Sequence, residues 1–86
     1  MAKYEILFRQ SVLKKDLASL PKNDVRKIIE TIHALADDPR PPGVKKLSGS
    51  EQYRVRQGNY RIVYSIHDNE LRIWIVPIGH RREIYR

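Results

Sequence analysis

The spacing of apolar residues changes along the chain, and each change predicts a different kind of element. Residues 3–8 are short and β-prone, which predicts a first strand. Across residues 11–21 the apolar positions recur at helical spacing and Pro21 closes the segment, so we predict a first helix there. A second helical stripe starts near Asn23 and ends at Asp37-Asp38-Pro39, because a residue before proline resists the α region. The very short connection between the two predicts an antiparallel helical hairpin.

Beyond the turn at residues 40–43 the apolar period becomes two, which is typical of strands. The segments with this alternation are 53–57, 60–66 and 71–78. The pairs Gly58-Asn59 and Asp68-Asn69 between them are typical of hairpin turns. We therefore predict one α+β domain over residues 1–86, in the order β-α-α-β-β-β. An N-terminal strand and a helical hairpin precede a three-stranded antiparallel meander and a short C-terminal tail, with the helices packed on one face of the sheet.

Composition excludes several kinds of site. The chain has 86 residues and no cysteine, which rules out disulfides, thiolate metal sites and a cysteine nucleophile. Three scattered histidines do not predict a metal site, and no glycine-rich phosphate loop occurs, so we expect no metal and no cofactor. The N-terminus lacks a signal-peptide pattern, and no apolar run approaches transmembrane length. We expect a soluble cytoplasmic protein that does not associate with membranes.

Charge adds a clue about the partner. Seventeen Lys and Arg against ten Asp and Glu give a net charge of +7. The excess lies mostly in residues 44–86, which hold seven arginines and two lysines against four acidic residues. Arginine suits forked contacts with phosphate, so a polyanionic partner is expected. That partner is a nucleic acid or an acidic protein, and charge alone does not choose between them.

Arginines cluster around the Gly58-Asn59 turn. A two-residue turn places Arg56 directly opposite Arg61, and Arg54 projects from the same face as Arg56. Opposed cations destabilise a sheet, whereas an RNA phosphate would relieve their repulsion. We therefore predict one patch made by the three arginines, while the apolar residues between them point into the core. The alternative is that these arginines are simply the solvated face of an amphipathic sheet.

Other polar and aromatic residues give weaker signals. A second basic cluster follows the last strand within residues 79–86, where His80 is a good acid–base group because its ordinary pKa lies near 6.5. Lys45 and Lys46 are predicted either to contact RNA backbone or to belong to a solvated turn. Trp74 has aliphatic neighbours along its strand, so we predict a core position for it.

Taken in order, the motifs of the chain match those of a known family. They are Asp16-Leu17, Leu20-Pro21, Asp38-Pro39-Arg40-Pro41, Lys46-Leu47-Ser48-Gly49, Tyr53-Arg54-Val55-Arg56, the segment from Gly58 to Tyr64 and the segment from His80 to Arg86. In this set the chain resembles the RelE/ParE toxins of type II toxin–antitoxin systems over essentially its whole length. The motifs of the second half are the specific ones.

The resemblance to the RelE-like branch implies a bacterial mRNA interferase. Such toxins bind in the ribosomal A site and cleave the codon there by attack of a 2′-hydroxyl on the adjacent phosphate, which inhibits translation. The implied catalytic residues are Arg61 as phosphate clamp, Arg81 as proton donor to the leaving oxygen, Tyr85, Arg56 and His80. The implied RNA-binding residues are Arg54, Lys45, Lys46 and Arg82. Arg54 and Arg56 stand where the family usually has lysines, and a guanidinium stays protonated, so the general base is left open.

The resemblance also implies partners. A small acidic, helical and DNA-binding antitoxin would hold the toxin inactive, and operator DNA would be bound only through their complex. Two alternatives remain open at this point. One is a ParE-like inhibitor of DNA gyrase, a branch that generally lacks the set of Arg61, Arg81 and Tyr85. The other is a non-catalytic basic module that binds RNA without cleaving it.

Overall fold

The computed structural model describes residues 3–47 and 52–80, the last of them only in its backbone. One sheet of five strands is covered on one face by the helix α1, which spans Lys22–Leu35. The strands β1 to β5 span Glu5–Phe8, Lys45–Lys46, Gln52–Gln57, Tyr60–His67 and Arg72–His80. Their order across the sheet is β1-β5-β4-β3-β2. The predicted α+β class is confirmed.

The predicted strand count is wrong by one, because the N-terminal strand and the three strands of the meander are all present but β2 was not predicted. Strands β3, β4 and β5 do pair antiparallel in sequence order, but β1 joins them in parallel beside β5. A parallel partner requires a crossover, which the helical segment between β1 and β2 supplies. Strand β2 pairs with β3 at the opposite edge, and its two residues are too short for any alternation to be read. Periodicity identifies a strand but not its partner.

The predicted helical hairpin is also corrected. The second helix is confirmed as α1, but the first is short: Gln10 and Ser11 are α-helical and are followed by a π-helical stretch, Val12–Asp16. Its closing hydrogen bond runs from the Leu17 N–H to the Val12 carbonyl at 2.8 Å. Val12 is buried at the sheet, whereas Leu13 of the same predicted stripe is 51% exposed. Leu17 and Leu20 of the stripe are partly buried against the core, so the segment packs as predicted at three of its four apolar positions although its regular helix is short.

The core lies between α1 and the inner face of the sheet, the face that α1 covers. Helix residues Ile28, Ile32 and Leu35 lie at one-turn spacing and are at most 1% exposed. They pack against buried residues of β4 and β5, namely Ile62, Tyr64, Ile66, Ile73, Ile75 and Ile78. Burial of this apolar surface is the main stabilising contribution in a chain of this size. No helix in the described part of the chain has the length and apolar content that a membrane crossing requires.

A polar cluster links the loop after α1 to the turn before β5. Arg40 donates hydrogen bonds to the Asp68 carboxylate at 3.0 Å and to the Tyr53 hydroxyl at 3.3 Å. Its guanidinium carbon lies 5.3 Å from the centre of the Tyr53 ring, within cation–π range. The Tyr4 hydroxyl donates to the second Asp68 oxygen at 2.6 Å. The hydrogen bonds from Arg40 and then Tyr4 lower the pKa of Asp68 below its ordinary value.

The connection between β4 and β5 is longer than predicted. Asp68-Asn69 was expected to form a two-residue hairpin turn, but residues Asp68–Glu70 form a short 3-10 turn. Leu71 follows in the left-handed region with φ 54°, which is unfavourable for a branched side chain. The two carboxylate contacts of Asp68 favour the 3-10 turn over the tight hairpin and hold it against Arg40 and Tyr4.

Candidate nucleic-acid interface

The hairpin of β3 and β4 places basic residues on the outer face of the sheet, opposite α1. The register pairs Gln57 with Tyr60 and Arg56 with Arg61, which confirms the predicted two-residue turn. Gln57 and Tyr60 face α1, because Thr31 donates to Gln57 at 2.6 Å and the Tyr60 hydroxyl bonds to α1. Since side chains alternate along a strand, Arg56 and Arg61 face outward.

Strand β2 adds a fourth basic residue to this face. Lys45 pairs with Arg54, which lies two residues from Arg56 and projects from the same side. We call Lys45, Arg54, Arg56 and Arg61 the basic cluster. Three of its members, together with Gly43, line a cavity of about 180 Å³ that is open to solvent. Cations that converge on a space of this kind are suited to hold a phosphate group.

The members of the basic cluster differ in exposure. Lys45 and Arg56 are exposed and Arg54 is half-buried, but Arg61 is only 6% exposed. It is the one charged residue that is buried among the described residues. The three arginines lie on one face of the sheet, and the alternative of a purely solvated face does not hold for Arg61. It lies on a central strand, paired with Arg56 of β3 on one side and with Gly79 of β5 on the other.

Burial of Arg61 has two physical consequences. Removing a guanidinium from water is expensive, so a position of this kind is costly for the fold to maintain. The same burial restricts the rotamers of the side chain, so little further ordering is needed when it meets a charged group. A fixed cation in a water-poor environment stabilises developing negative charge more strongly than an exposed one does.

Lys46 is not brought together with the basic cluster. It pairs with Tyr53, whose ring stacks on Tyr64 with the centres 6.0 Å apart, so it belongs to the inner face at the sheet edge. Its role in RNA binding stays a prediction. The Tyr60 hydroxyl donates to Asp24 of α1 at 2.8 Å, and this bond to a carboxylate raises its pKa. The hydroxyl of Tyr60 is thus engaged on the helix side.

The second predicted cluster begins at the end of β5. The backbone of His80 pairs with Tyr60, and Gly79 pairs with Arg61, so β5 leads the chain directly past the buried arginine. The predictions for the side chain of His80 and for Arg81, Arg82 and Tyr85 lie outside the described residues. In the sequence Arg81 directly follows His80, the last residue of β5 that the structure describes.

Trp74 was missed as a residue of the outer face. It pairs with Ser65 of β4 and with Leu7 of β1 and is half-buried, whereas its neighbours Ile73 and Ile75 are fully buried. The prediction of a core position is wrong, because strand alternation sends the residue between two core isoleucines to the other face. That alternation is visible in the sequence and could have identified Trp74.

Comparison with known families finds a match over most of the chain. Residues 6–85 match the family model described as the ParE toxin of type II toxin–antitoxin system, parDE. The chain is 34% identical to the putative toxin RelE1 of Methanocaldococcus jannaschii, over 98% of this chain and 97% of that protein. It is 30% identical to toxin RelG of Mycobacterium tuberculosis, over 85% of this chain and 86% of that protein.

Solved structures give the same picture for the fold. The chain is similar to a chain in the crystal structure of an archaeal RelE–RelB complex from Pyrococcus horikoshii, with a TM-score of 0.83. The identity in that comparison is 32%, and the match covers 94% of this chain and 98% of the other.

Proposed function

Because the chain belongs to the RelE/ParE superfamily of toxins from type II toxin–antitoxin systems, in its RelE-like branch, we propose that it is an endoribonuclease. It cleaves mRNA codons in the ribosomal A site and so inhibits translation. One observation carries this proposal within the structure. Arg61, only 6% exposed, lies between Arg56 and the end of β5, where a phosphate could meet it.

The chemistry suits a buried cation. The 2′-oxygen of one nucleotide bonds to the adjacent phosphorus and loses its proton, while the bond from phosphorus to the next 5′-oxygen breaks. The 5′-oxygen takes up a proton, so the products are a 2′,3′-cyclic phosphate and a free 5′-hydroxyl. Negative charge develops on the non-bridging oxygens during this displacement. The guanidinium of Arg61, already fixed by burial, stabilises that charge.

The remaining roles follow the resemblance. Arg81 protonates the leaving oxygen, and Tyr85 stacks on a displaced base, since RNA recognition commonly places bases on aromatic rings. By its ordinary pKa His80 suits proton transfer better than Arg56, which remains protonated, but the backbone of His80 pairs with Tyr60, whose side chain faces α1, so the general base stays unassigned. The ribosome contributes by orienting the mRNA for in-line attack.

The outer groups bind the RNA backbone. Lys45, Arg54 and Arg56 surround the open cavity and contact phosphates on either side of the scissile bond. Lys46 and Arg82 add charge around this site. Exposed cations of this kind contribute to binding through counterion release, so their effect depends on salt.

We further propose that a cognate antitoxin inhibits the toxin. Structures of RelE–RelB complexes are known for similar chains, which supports a partner of that kind. An acidic, helical antitoxin is complementary to a toxin with a net charge of +7 and would compete with mRNA for the basic cluster. Operator DNA would be bound through the DNA-binding part of the antitoxin and not by this chain.

A second candidate function is inhibition of DNA gyrase. The family model that matches residues 6–85 carries the ParE description, which favours this reading. The two curated relatives carry RelE and RelG names, which favours the nuclease.

A cell-free translation reaction separates the two functions. Purified toxin is added, and the 3′ ends of the mRNA are mapped with and without ribosomes, for the wild type and for Arg81→Ala and Tyr85→Phe. The nuclease predicts cuts inside codons that require ribosomes and that are lost in Arg81→Ala. Intact mRNA with normal translation would reject it, and a supercoiling assay with purified gyrase would then test the alternative. Tight RNA binding without cuts would indicate a non-catalytic module.

A further inference from the structure

Strand β5 contains one extra residue just before its last segment. Ile62 of β4 pairs with Ile78 and Tyr64 pairs with Ile75, so two steps along β4 correspond to three along β5. This is a β-bulge, which changes the register and the direction of the strand beyond it. The residues after the bulge are those that pass Arg61 and lead to Arg81.

In the described part of the chain only three residues of β5 after the bulge, Ile78 to His80, pair with β4, so each further contact that holds their register matters. Slippage by one residue turns every following side chain to the opposite face of the sheet. On one side β5 pairs with β4, and on the other it pairs with β1 only from Arg72 to Ile75. The last hydrogen bond on that side runs from the Arg9 N–H to the Ile75 carbonyl. The segment after the bulge therefore extends past the end of its neighbour β1.

Asp16 occupies the side of β5 that β1 leaves. The π-helical turn Val12–Asp16 packs against β5, and the Asp16 carboxylate accepts the backbone N–H of Ile78 at 2.9 Å. The bond is partly buried and joins residues 62 positions apart in the chain. A carboxylate that accepts a backbone N–H forms a charge-assisted hydrogen bond, which is stronger than one between neutral groups. It satisfies the backbone N–H of Ile78, the first residue of β5 that pairs with β4 after the bulge.

We propose that Asp16 is a positioning residue, which fixes the register of β5 after the bulge and thereby holds Gly79 beside Arg61. This role rests on the proposed nuclease function. Asp16 does not touch the reacting groups in this account. Its carboxylate acts only through Ile78, three residues before Arg81.

The test compares substitutions at Asp16 with one at the other end of β5. Asp16→Ala removes the acceptor, Asp16→Glu displaces it by one methylene, and Asp16→Asn keeps an oxygen that can accept the same bond. Asp68→Ala is the matched control, because it removes a carboxylate that accepts two hydrogen bonds but lies where β5 begins. Single-turnover cleavage on programmed ribosomes gives the rate constant and the toxin concentration at half-maximal rate separately.

The proposal predicts a loss in the rate constant and not in ribosome binding. Asp16→Ala and Asp16→Glu should slow cleavage about 10- to 100-fold, since a displacement near 1 Å can have that effect. Asp16→Asn should stay within about threefold of the wild type because its amide oxygen still accepts the bond. Asp68→Ala should lose thermal stability but keep the rate constant. Equal rate constants for Asp16→Glu and Asp68→Ala would overturn the proposal. If Asp16→Ala does not fold, the comparison of Asp16→Glu with Asp68→Ala remains as the test.

A structural readout keeps failure of the nuclease function distinct. Amide hydrogen exchange of Ile78 and Gly79, read by NMR in the wild type and in Asp16→Glu, reports the pairing after the bulge without any RNA. Faster exchange at these two amides, with unchanged exchange in β3, supports the control of register. Unchanged exchange overturns it. If wild-type toxin does not cleave mRNA, the proposed nuclease function is wrong, and the effect of Asp16 on catalysis is wrong with it. Hydrogen exchange at Ile78 and Gly79 still tests whether Asp16 fixes the register of β5.

Discussion

The hydroxyl of Tyr64 offers a sharp test of how the loop after α1 is held. The side chain is fully buried, and its hydroxyl donates to the Pro39 carbonyl at 2.7 Å. Tyr64→Phe removes this one atom and leaves the ring stacked on Tyr53. The carbonyl of Pro39 then loses its buried donor.

The magnitude follows from the burial of the bond. A hydrogen bond of this type contributes about 1 kcal/mol net, and an acceptor left unsatisfied costs about 1 to 3 kcal/mol. We expect Tyr64→Phe to lower the free energy of unfolding by about 1.5 to 2 kcal/mol. For a domain of this length each kcal/mol corresponds to about 4 to 8 °C in Tm. Urea unfolding followed by circular dichroism measures the first quantity, and a thermal scan the second.

The effect should also depend on pH. Burial raises the pKa of Tyr64 above its ordinary value of 10.0, so the unfolded chain releases this proton before the folded one does. The stability that the neutral hydroxyl contributes is complete below pH 10 and declines as the pH rises above it. The difference in the free energy of unfolding between the wild type and Tyr64→Phe should therefore narrow above pH 10.

Tyr60→Phe is the matched control, because it removes the same atom from a half-buried ring on the same face. Its partner Asp24 is also only partly buried, so water can replace the lost donor and the change should be smaller. If both variants unfold at the same urea concentration, the burial argument for Tyr64 fails. A constant difference between wild type and Tyr64→Phe up to pH 11 would refute the pKa argument.

Three further predictions address the core, the polar cluster and the RNA site. Ile32→Ala should lower the free energy of unfolding in urea by about 3 kcal/mol because it opens a cavity under α1, whereas Leu13→Ala, at a residue 51% exposed, should lower it by less than about 0.5 kcal/mol. Equal losses of stability in the two variants would contradict the assigned core. Asp68→Asn should have a lower free energy of unfolding than the wild type at neutral pH, and this difference should close as the pH falls through the lowered pKa of Asp68, because protonation of the wild-type carboxylate removes its ion pair with Arg40. A difference in stability that persists at pH 2 would contradict this role of Asp68. Arg56→Ala should reduce the slope of log affinity for RNA against log salt by about 1, and an unchanged slope would place phosphate elsewhere.

Helix α1 and the β3–β4 hairpin could be predicted, because apolar spacing reflects burial directly and a short turn fixes the register of a hairpin. The stripe containing Ile28 and Ile32 predicted α1, and the pairing of Arg56 with Arg61 followed from the length of the turn between them. Local turn chemistry fixes such a register without any knowledge of the remaining fold.

The rest depended on contacts between distant parts of the chain. Nothing in residues 3–8 indicates that β1 lies parallel to β5, and the two residues of β2 carry no period. The burial of Arg61 arises from strands on both of its sides, which a hairpin considered alone cannot show. The hydrogen bond from Ile78 to Asp16 joins positions 62 residues apart. The period of apolar residues along β5 predicts neither this bond nor the bulge beside it.

The central claim is that the buried arginine stabilises charge during mRNA cleavage, and a single-turnover measurement on programmed ribosomes tests it most directly. The wild type is compared with Arg61→Ala and with Arg26→Ala, which removes an exposed arginine from α1. All three are assayed at a temperature where circular dichroism shows them folded. We predict that Arg26→Ala keeps its rate within about twofold, as for a surface change remote from the site. Arg61→Ala should cut the same A-site codon about 100- to 1000-fold more slowly, at similar ribosome occupancy. Equal rates for Arg61→Ala and the wild type would contradict the account.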